Sequence, residues 1–205
     1  RTAGGTSTGR NVGRRGPVPT PAVGLRTRAR RAERGGMISA SHNPAEDNGI
    51  KFFGPDGFKL SDQADIEIER LIEEGVKPAQ AQNIGRARRV DDARFRYGER
   101  VKSSLSRDLR LDGLKVVVDC ANGAAHRTAP EVLWELGADV IPVGIAPNGK
   151  NINLNCGSTK PQLAAETVVA QGADVGICLD GDADRVVMVD EHGKVADGDQ
   201  LMALL

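Results

Sequence analysis

Between residues 111 and 180, unbroken apolar runs alternate with short segments that start at a proline and stop near a glycine. The runs are "KVVVDC" (115–120), "ADVIPVG" (138–144) and "ADVGICLD" (173–180). Such runs suit strands buried on both faces. Pro130 suits a first helical position and Gly137 a stop, and Pro161 opens a second helix to about Gln171. Strands separated by helices of this length pair in parallel through right-handed crossovers, which predicts an α/β sheet. "VVMVD-EHG-KVA" adds a hairpin at one margin.

The first half is less regular. Residues 1 to 16 have almost no apolar content and read as coil. "PVPTPAVG" reads as a proline-punctuated connection and "GMISA" (36–40) as a short buried strand. "SHNPAEDNG" is turn chemistry, "IKFF" restarts an extended segment, and "GPDG" (54–57) closes it. Ser61 is placed to cap a helix through about Glu74, with Ile66, Leu71 and Ile72 on or near one face and Gly75 ending it. A polar, arginine-rich stretch follows, and the boundary between halves falls near residues 100 to 110.

Lysine plus arginine and aspartate plus glutamate balance at 28 each, so nothing draws the whole molecule to nucleic acid or membrane. Residues 1 to 35 hold nine arginines against the single acid Glu33. They contain no aromatic residue to stack on bases, which argues against a nucleic-acid arm. Cys120, Cys156 and Cys178 form no C-x-x-C pair and read as reduced thiols of a cytoplasmic protein. No apolar run approaches the roughly 18 residues of a membrane span. The chain starts at Arg1 and finishes on the apolar run 201–205, and both ends read as cut.

The chemistry concentrates in two strings. "LDGDADR" sets Asp180, Asp182 and Asp184 at alternate positions between apolar runs. Carboxylates about 4 Å apart repel by roughly 1 kcal/mol per pair in water, and by several times more where partly buried. Crowding of that kind is relieved by a cation, and all-oxygen donors favour magnesium, manganese or calcium over zinc. A calcium EF-hand would count Asp180 as position 1 and Glu191 as position 12. It fails at position 6, where Arg185 replaces the needed glycine, and its flanks read as strands. An arginine beside a metal loop points to phosphate, whose oxygens match a guanidinium fork.

The second string is "SASHNPAEDNGIK", where Ser41 follows a strand end with His42, Asn43 and Lys51 close by. A serine hydroxyl needs a metal, a basic group or neighbouring donors before it can carry a phosphoryl group. Taken singly, Ser39 and Ser41 read as turn caps, His42 as a solvated loop residue and Lys51 as a surface lysine. As one string beside an aspartate loop they read as a site. "GGTSTGRN" (4–11) nearly matches a P-loop but has Arg10 for its lysine, Asn11 for its hydroxyl and no preceding strand. "SASHN" is not the G-x-S-x-G of a hydrolase elbow.

Together, "SASHNPAEDNGIKFFGPDGFKL" and "CLDGDADRVVMVD" resemble the α-D-phosphohexomutases. "GPVPTPAVG", "VVVDCANGAA", "APNGKNIN", "NCGST" and "DGDQLMALL" look most like the bacterial phosphoglucosamine mutase branch, and the likeness runs from about Gly16 to Leu205. The resemblance implies that Ser41 is a phosphoserine and that Asp180, Asp182 and Asp184 hold Mg2+ with an oxygen of that group. It implies that Lys51 and His42 assist phosphate contact and proton handling, and that Asn43 and Arg185 line the site. The implied substrate is a phosphosugar, glucosamine 6-phosphate exchanging with glucosamine 1-phosphate through a bisphosphate. The implied fold is two incomplete α/β domains with mixed, mainly parallel sheets covered by helices. Residues 17–107 would be the later part of domain 1 and residues 108–205 a truncated domain 2, with residues 1–16 irregular or artefactual. The sugar-selecting domain would then be missing and the isolated chain inactive. Ala45 stands where the family usually has an aromatic residue, and Lys160 where it has a histidine.

Overall fold

A computed structural model describes residues 2–203. In its second half, β5 (Lys115–Asp119) lies between β6 (Asp139–Val143) and β7 (Val175–Leu179), parallel to both. β8 (Val186–Asp190) returns antiparallel to β7, and β9 (Val195–Ala196) pairs with β8 to give the sheet order β6-β5-β7-β8-β9. The helices expected between the parallel strands are α5 (Thr128–Glu135) and α6 (Gln162–Gln171). Val116, Val117 and Val118 are all buried, as an unbroken apolar strand requires when both faces are covered. α6 lays Ala164 and Val168 over Val117, Cys178 and Val189, and Gly172 ends it in the left-handed conformation. α5 begins two residues earlier than its proline suggested. Pro130 is tolerated at the third helical position because the first-turn N–H groups have no intrahelical acceptor anyway.

In the first half, β2 (Gly35–Ser39) and β3 (Gly49–Phe53) pair antiparallel. α3 (Asp62–Glu74) starts where Ser61 Oγ accepts from the Ala64 N–H and stops at Gly75, whose φ is 78°. Its apolar face is not buried within this chain: Ile66, Leu71 and Ile72 are all exposed, and no α3 residue is buried. Two further helices were not legible. The proline-rich "connection" contains α2 (Thr20–Ala29), and the arginine-rich stretch contains α4 (Ala93–Lys102). Val18, Ala22 and Val23 of the α2 region pack with Phe53, Val90 and Ala93 as the core of this half. Gly24 allows α2 to run against the backbone of Gly57, where any Cβ would collide with its carbonyl.

The coil expected over residues 1 to 16 is corrected. α1 (Thr2–Ser7) occupies the start, and β1 (Val12–Arg14) pairs in parallel with β4 (Ala87–Arg89). Thr6, Ser7 and Thr8 satisfy their hydroxyls on carbonyls three or four residues back. β1 finds its partner more than 70 residues away, so no local pattern announces it. Gly4 to Ser7 lie in α1, which removes the near-match to a P-loop. α7 (Gly198–Met202) opens with an Asp197–Gln200 capping box, while Arg1, Leu204 and Leu205 lie outside the described residues. Among the described residues, no helix is long and apolar enough to cross a membrane.

All three cysteines are free and buried. Burial, assisted by the nearby Asp119 carboxylate, pushes the thiols of Cys120 and Cys178 up to about 12 and that of Cys156 up to about 11. The native chain is therefore expected to resist iodoacetamide at about pH 8, while the urea-unfolded chain alkylates at all three sites. Rapid native labelling of any of them would contradict the packing described.

Candidate phosphoryl-transfer site

The loop after β7 wraps on itself. The Ala183 N–H donates to the Asp180 carbonyl (3.0 Å), and Ala183 sits at φ 55°. Asp180 Oδ1 accepts from the N–H groups of Asp184 and Arg185, both at 3.1 Å. These bonds hold one oxygen of Asp180 inside the loop and leave Oδ2 facing Ser41 Oγ at 3.4 Å. Both flanks are strands, as the argument against an EF-hand required.

Ser41 is held in the left-handed region at φ 54°, a conformation that costs a non-glycine residue about 1 kcal/mol or more. Several contacts fix it there. Its N–H donates to Ser39 Oγ (2.9 Å), so Ser39 is a turn cap. Its carbonyl accepts from the Gly181 N–H (3.1 Å) and from Asn153 Nδ2 (2.8 Å), which also reaches the Asn43 carbonyl (2.8 Å). The serine loop of the first half is thus pinned by two residues of the second.

Lys51 enters from β3. Its ammonium contacts Asp182 Oδ2 (2.7 Å) and Asp184 Oδ2 (2.9 Å) and stands 3.5 Å from Ser41 Oγ. Thr20, the first residue of α2, donates its hydroxyl to Asp182 Oδ2 (2.5 Å) and its N–H to the Asp182 carbonyl (2.8 Å). Asp180 and Asp182 are fully buried and Asp184 is exposed. Burial and then the neighbouring Asp182 charge raise the Asp180 carboxyl above its usual range. Burial works the same way on Asp182, but the hydrogen bonds from Lys51 and Thr20 outweigh it and hold that carboxyl low. Burial of the Lys51 ammonium is likewise outweighed by its bonds to Asp182 and Asp184, so it stays charged.

The structure therefore brings Ser41, Lys51 and the three aspartates together. His42 and Asn43 come with the serine loop, but among the described residues neither side chain makes a hydrogen bond or ion pair to the aspartates. His42 Nδ1 is buried without a partner. Arg185 is exposed, and its guanidinium has no hydrogen-bond or ion-pair partner among the described residues. Thr20 and Asn153 were not anticipated. "TPA" does carry helix-start chemistry at Thr20, with a proline at the next position. Nothing local marks what Thr20 bonds to, and nothing marks the target of Asn153.

One carboxylate oxygen from each aspartate can be chosen so that all three lie within 4.8 Å of one another. Asp182 Oδ1 is buried and lacks any protein partner, a costly arrangement for an ionised oxygen unless another donor or a cation completes it. Hard oxygen donors around such an orphan fit a divalent cation of the magnesium class.

Comparison with known proteins places both halves in one family. Residues 2–79 match the profile for phosphoglucomutase/phosphomannomutase alpha/beta/alpha domain I, and residues 96–193 match the one for domain II. The chain is similar over its full length to proteins called phosphoglucosamine mutase, 80% identical in Ruegeria sp. strain TM1040 and 76% in Ruegeria pomeroyi. It spans 46% of the length of either relative. A crystal structure of a phosphoglucomutase/phosphomannomutase family protein from Burkholderia thailandensis superimposes with a TM-score of 0.78. At 24% identity it covers 97% of this chain and 44% of its own, and it supports the fold. The matched segments take in the serine and aspartate loops and begin at residue 2, so the likeness reaches further back than the Gly16 start expected from the sequence. With both site-bearing domains matched in order, the chain belongs to the phosphoglucomutase/phosphomannomutase family and carries its domains I and II.

Proposed function

We propose that these two domains form the phosphoryl-handling half of a bacterial phosphoglucosamine mutase, acting in the cytoplasm, where free thiols stay reduced. The observation that carries the reading is the convergence on Ser41 Oγ of Asp180 and Lys51, together with the high identity to phosphoglucosamine mutases. In this reading Ser41 carries a phosphoryl group. The P–O bond to Ser41 Oγ breaks as one forms to a hydroxyl of the phosphosugar, whose proton ends on Ser41 Oγ; the resulting bisphosphate then returns its other phosphoryl group to Ser41 Oγ, and the serine proton ends on the sugar oxygen left behind.

Asp180, Asp182 and Asp184 would hold Mg2+, which supplies charge neutralisation for the phosphoryl oxygens when bound. Lys51 adds a fixed positive charge beside Ser41 Oγ, where phosphoryl oxygens would lie. His42 Nδ1, lacking a protein partner, is assigned to proton handling. Arg185 and Asn43 are assigned to phosphate contact. Asn153 and the Gly181 N–H hold the nucleophile's backbone in its left-handed turn, so orientation is set before substrate arrives. Sugar selection is assigned to parts of the relatives that this chain does not match, and the 205-residue chain alone is expected not to turn over.

Chain isolated from cells is expected to carry phosphate on Ser41 by phosphopeptide mass spectrometry. Titration calorimetry is expected to show Mg2+ binding that Asp182→Asn weakens by about tenfold or more. Unphosphorylated Ser41 together with Mg2+ affinity indifferent to Asp182 would remove the proposal. A phosphomannomutase or phosphoglucomutase parent would leave both results unchanged and would differ in sugar preference.

A further inference from the structure

Away from the aspartate loop, guanidinium groups crowd one carboxylate at the seam between α2 and the start of α4. Asp92 receives Arg96 (2.5 Å), Arg26 (3.1 Å) and Arg30 (3.6 Å). Arg15, at the end of β1, is close enough to repel Arg26 and Arg30, and burial together with that repulsion lowers its pKa. Four cations therefore share one carboxylate. Arg26 is only 7% exposed, and its Nε is buried without a partner, as is Arg15 Nε. Buried donors of charged groups rarely remain unpaired, because their desolvation is uncompensated.

The helix end adds to the imbalance. Asp92 is the N-cap of α4 but makes no side-chain cap bond, its carboxylate being drawn to the arginines instead. The first turn of α4 contains Arg94 and Arg96 and no acid, opposite to what the positive end of a helix favours. Uncapped N–H groups, a helix dipole and converging guanidinium forks are the features that bind tetrahedral oxyanions. Beside Arg15 a cavity of about 340 Å³ is walled by Arg14, Arg88, Arg89, Gly16 and Ala87, with no acidic residue in its lining. Arg15 is the residue this cavity shares with the seam.

We propose that the seam formed by Arg15, Arg26, Arg30, Arg96 and the N-terminus of α4 is an oxyanion site of the phosphate class, separate from the Ser41 site. A divalent phosphate bound there supplies the acceptors that Arg26 Nε and Arg15 Nε lack and offsets the excess positive charge. Free phosphate and the phosphate of a sugar monoester offer the same oxygens, so both are tested.

The experiment follows the thermal midpoint of the 205-residue chain, at constant ionic strength, as chloride is replaced by inorganic phosphate, sulfate or glucosamine 6-phosphate. Phosphate and sulfate are expected to raise the midpoint relative to chloride. Arg15→Gln and Arg30→Gln are each expected to weaken phosphate binding by about tenfold in calorimetry. Asp182→Asn is expected to keep the response, which separates this site from the aspartate loop. Arg96→Gln, at a largely exposed side chain, is the check should either first variant lose its far-ultraviolet dichroism. A greater response to the sugar phosphate than to inorganic phosphate would make the sugar monoester the ligand; an equal one would make it free phosphate. No gain over chloride, or a gain that survives in the arginine variants, overturns the proposal and leaves a salt-bridge network alone.

Discussion

Lys51→Met is expected to destabilise the metal-free chain by about 3 kcal/mol, and millimolar Mg2+ is expected to recover most of that loss. The magnitude follows from what the ammonium balances. Asp182 is fully buried and Asp184 is exposed, and Lys51 bonds to both while its own side chain is 30% exposed. Removing a partner from a buried pair costs about 3–5 kcal/mol, and the partial exposure of Lys51 places the effect at the lower end. Methionine keeps the packing of the stem and removes the charge, so the loss reports electrostatics and not a cavity. The parent is expected to gain less from Mg2+ than the variant does, because Lys51 already offsets part of the carboxylate charge. Chemical denaturation with and without Mg2+ measures both quantities. Equal stability of variant and parent in metal-free buffer would mean that the carboxylates do not repel as their spacing requires.

That dependence on one lysine marks where sequence reading succeeds and where it stops. Local chemistry was readable: Ser61 and Gly75 bracket α3, and the valines of β5 announce a doubly covered strand. The crowding of Asp180, Asp182 and Asp184 was readable too, and the fold brings one oxygen of each within 4.8 Å of the others. Lys51 is different. Its β3 position was legible, but its bonds to Asp182 and Asp184 span more than 130 residues and arise only when the two halves dock. Thr20 and Asn153 were invisible for the same reason, because a side chain's long-range partner leaves no trace in its neighbours. α2 was hidden by its prolines, which read as punctuation although Pro21 lies within the helix's first turn, where proline is tolerated. β1 and β4 are three residues each and half of them are arginine, so their pairing rests on a parallel ladder that no local pattern encodes. Composition misled most at residues 1 to 16, where a six-residue helix and a three-residue strand form with little apolar content.

Docking of the halves is tested most severely at Gly181. A Cβ there would lie 2.5 Å from the Ser41 carbonyl oxygen and closer still to the Ile152 side chain. Real Cβ contacts do not fall under 3 Å, so one of the two loops must move. Ile152 can rotate, but the Ser41 carbonyl cannot withdraw without losing the Gly181 N–H and Asn153 bonds that hold it. Gly181→Ala is therefore expected to destabilise the chain by about 2–4 kcal/mol, combining overpacking with loss of the hydrogen bonds that anchor Ser41. Hydrogen exchange is expected to quicken at residues 39 to 53 while the β5–β7 ladder stays protected, because the strained serine turn is released before the sheet opens. Gly198→Ala is the control, since no heavy atom lies within 4 Å of the added methyl group. If Gly181→Ala unfolded at the same urea concentration as Gly198→Ala, the serine and aspartate loops would not be in contact, and the hydroxyl could not share a cation with the three carboxylates.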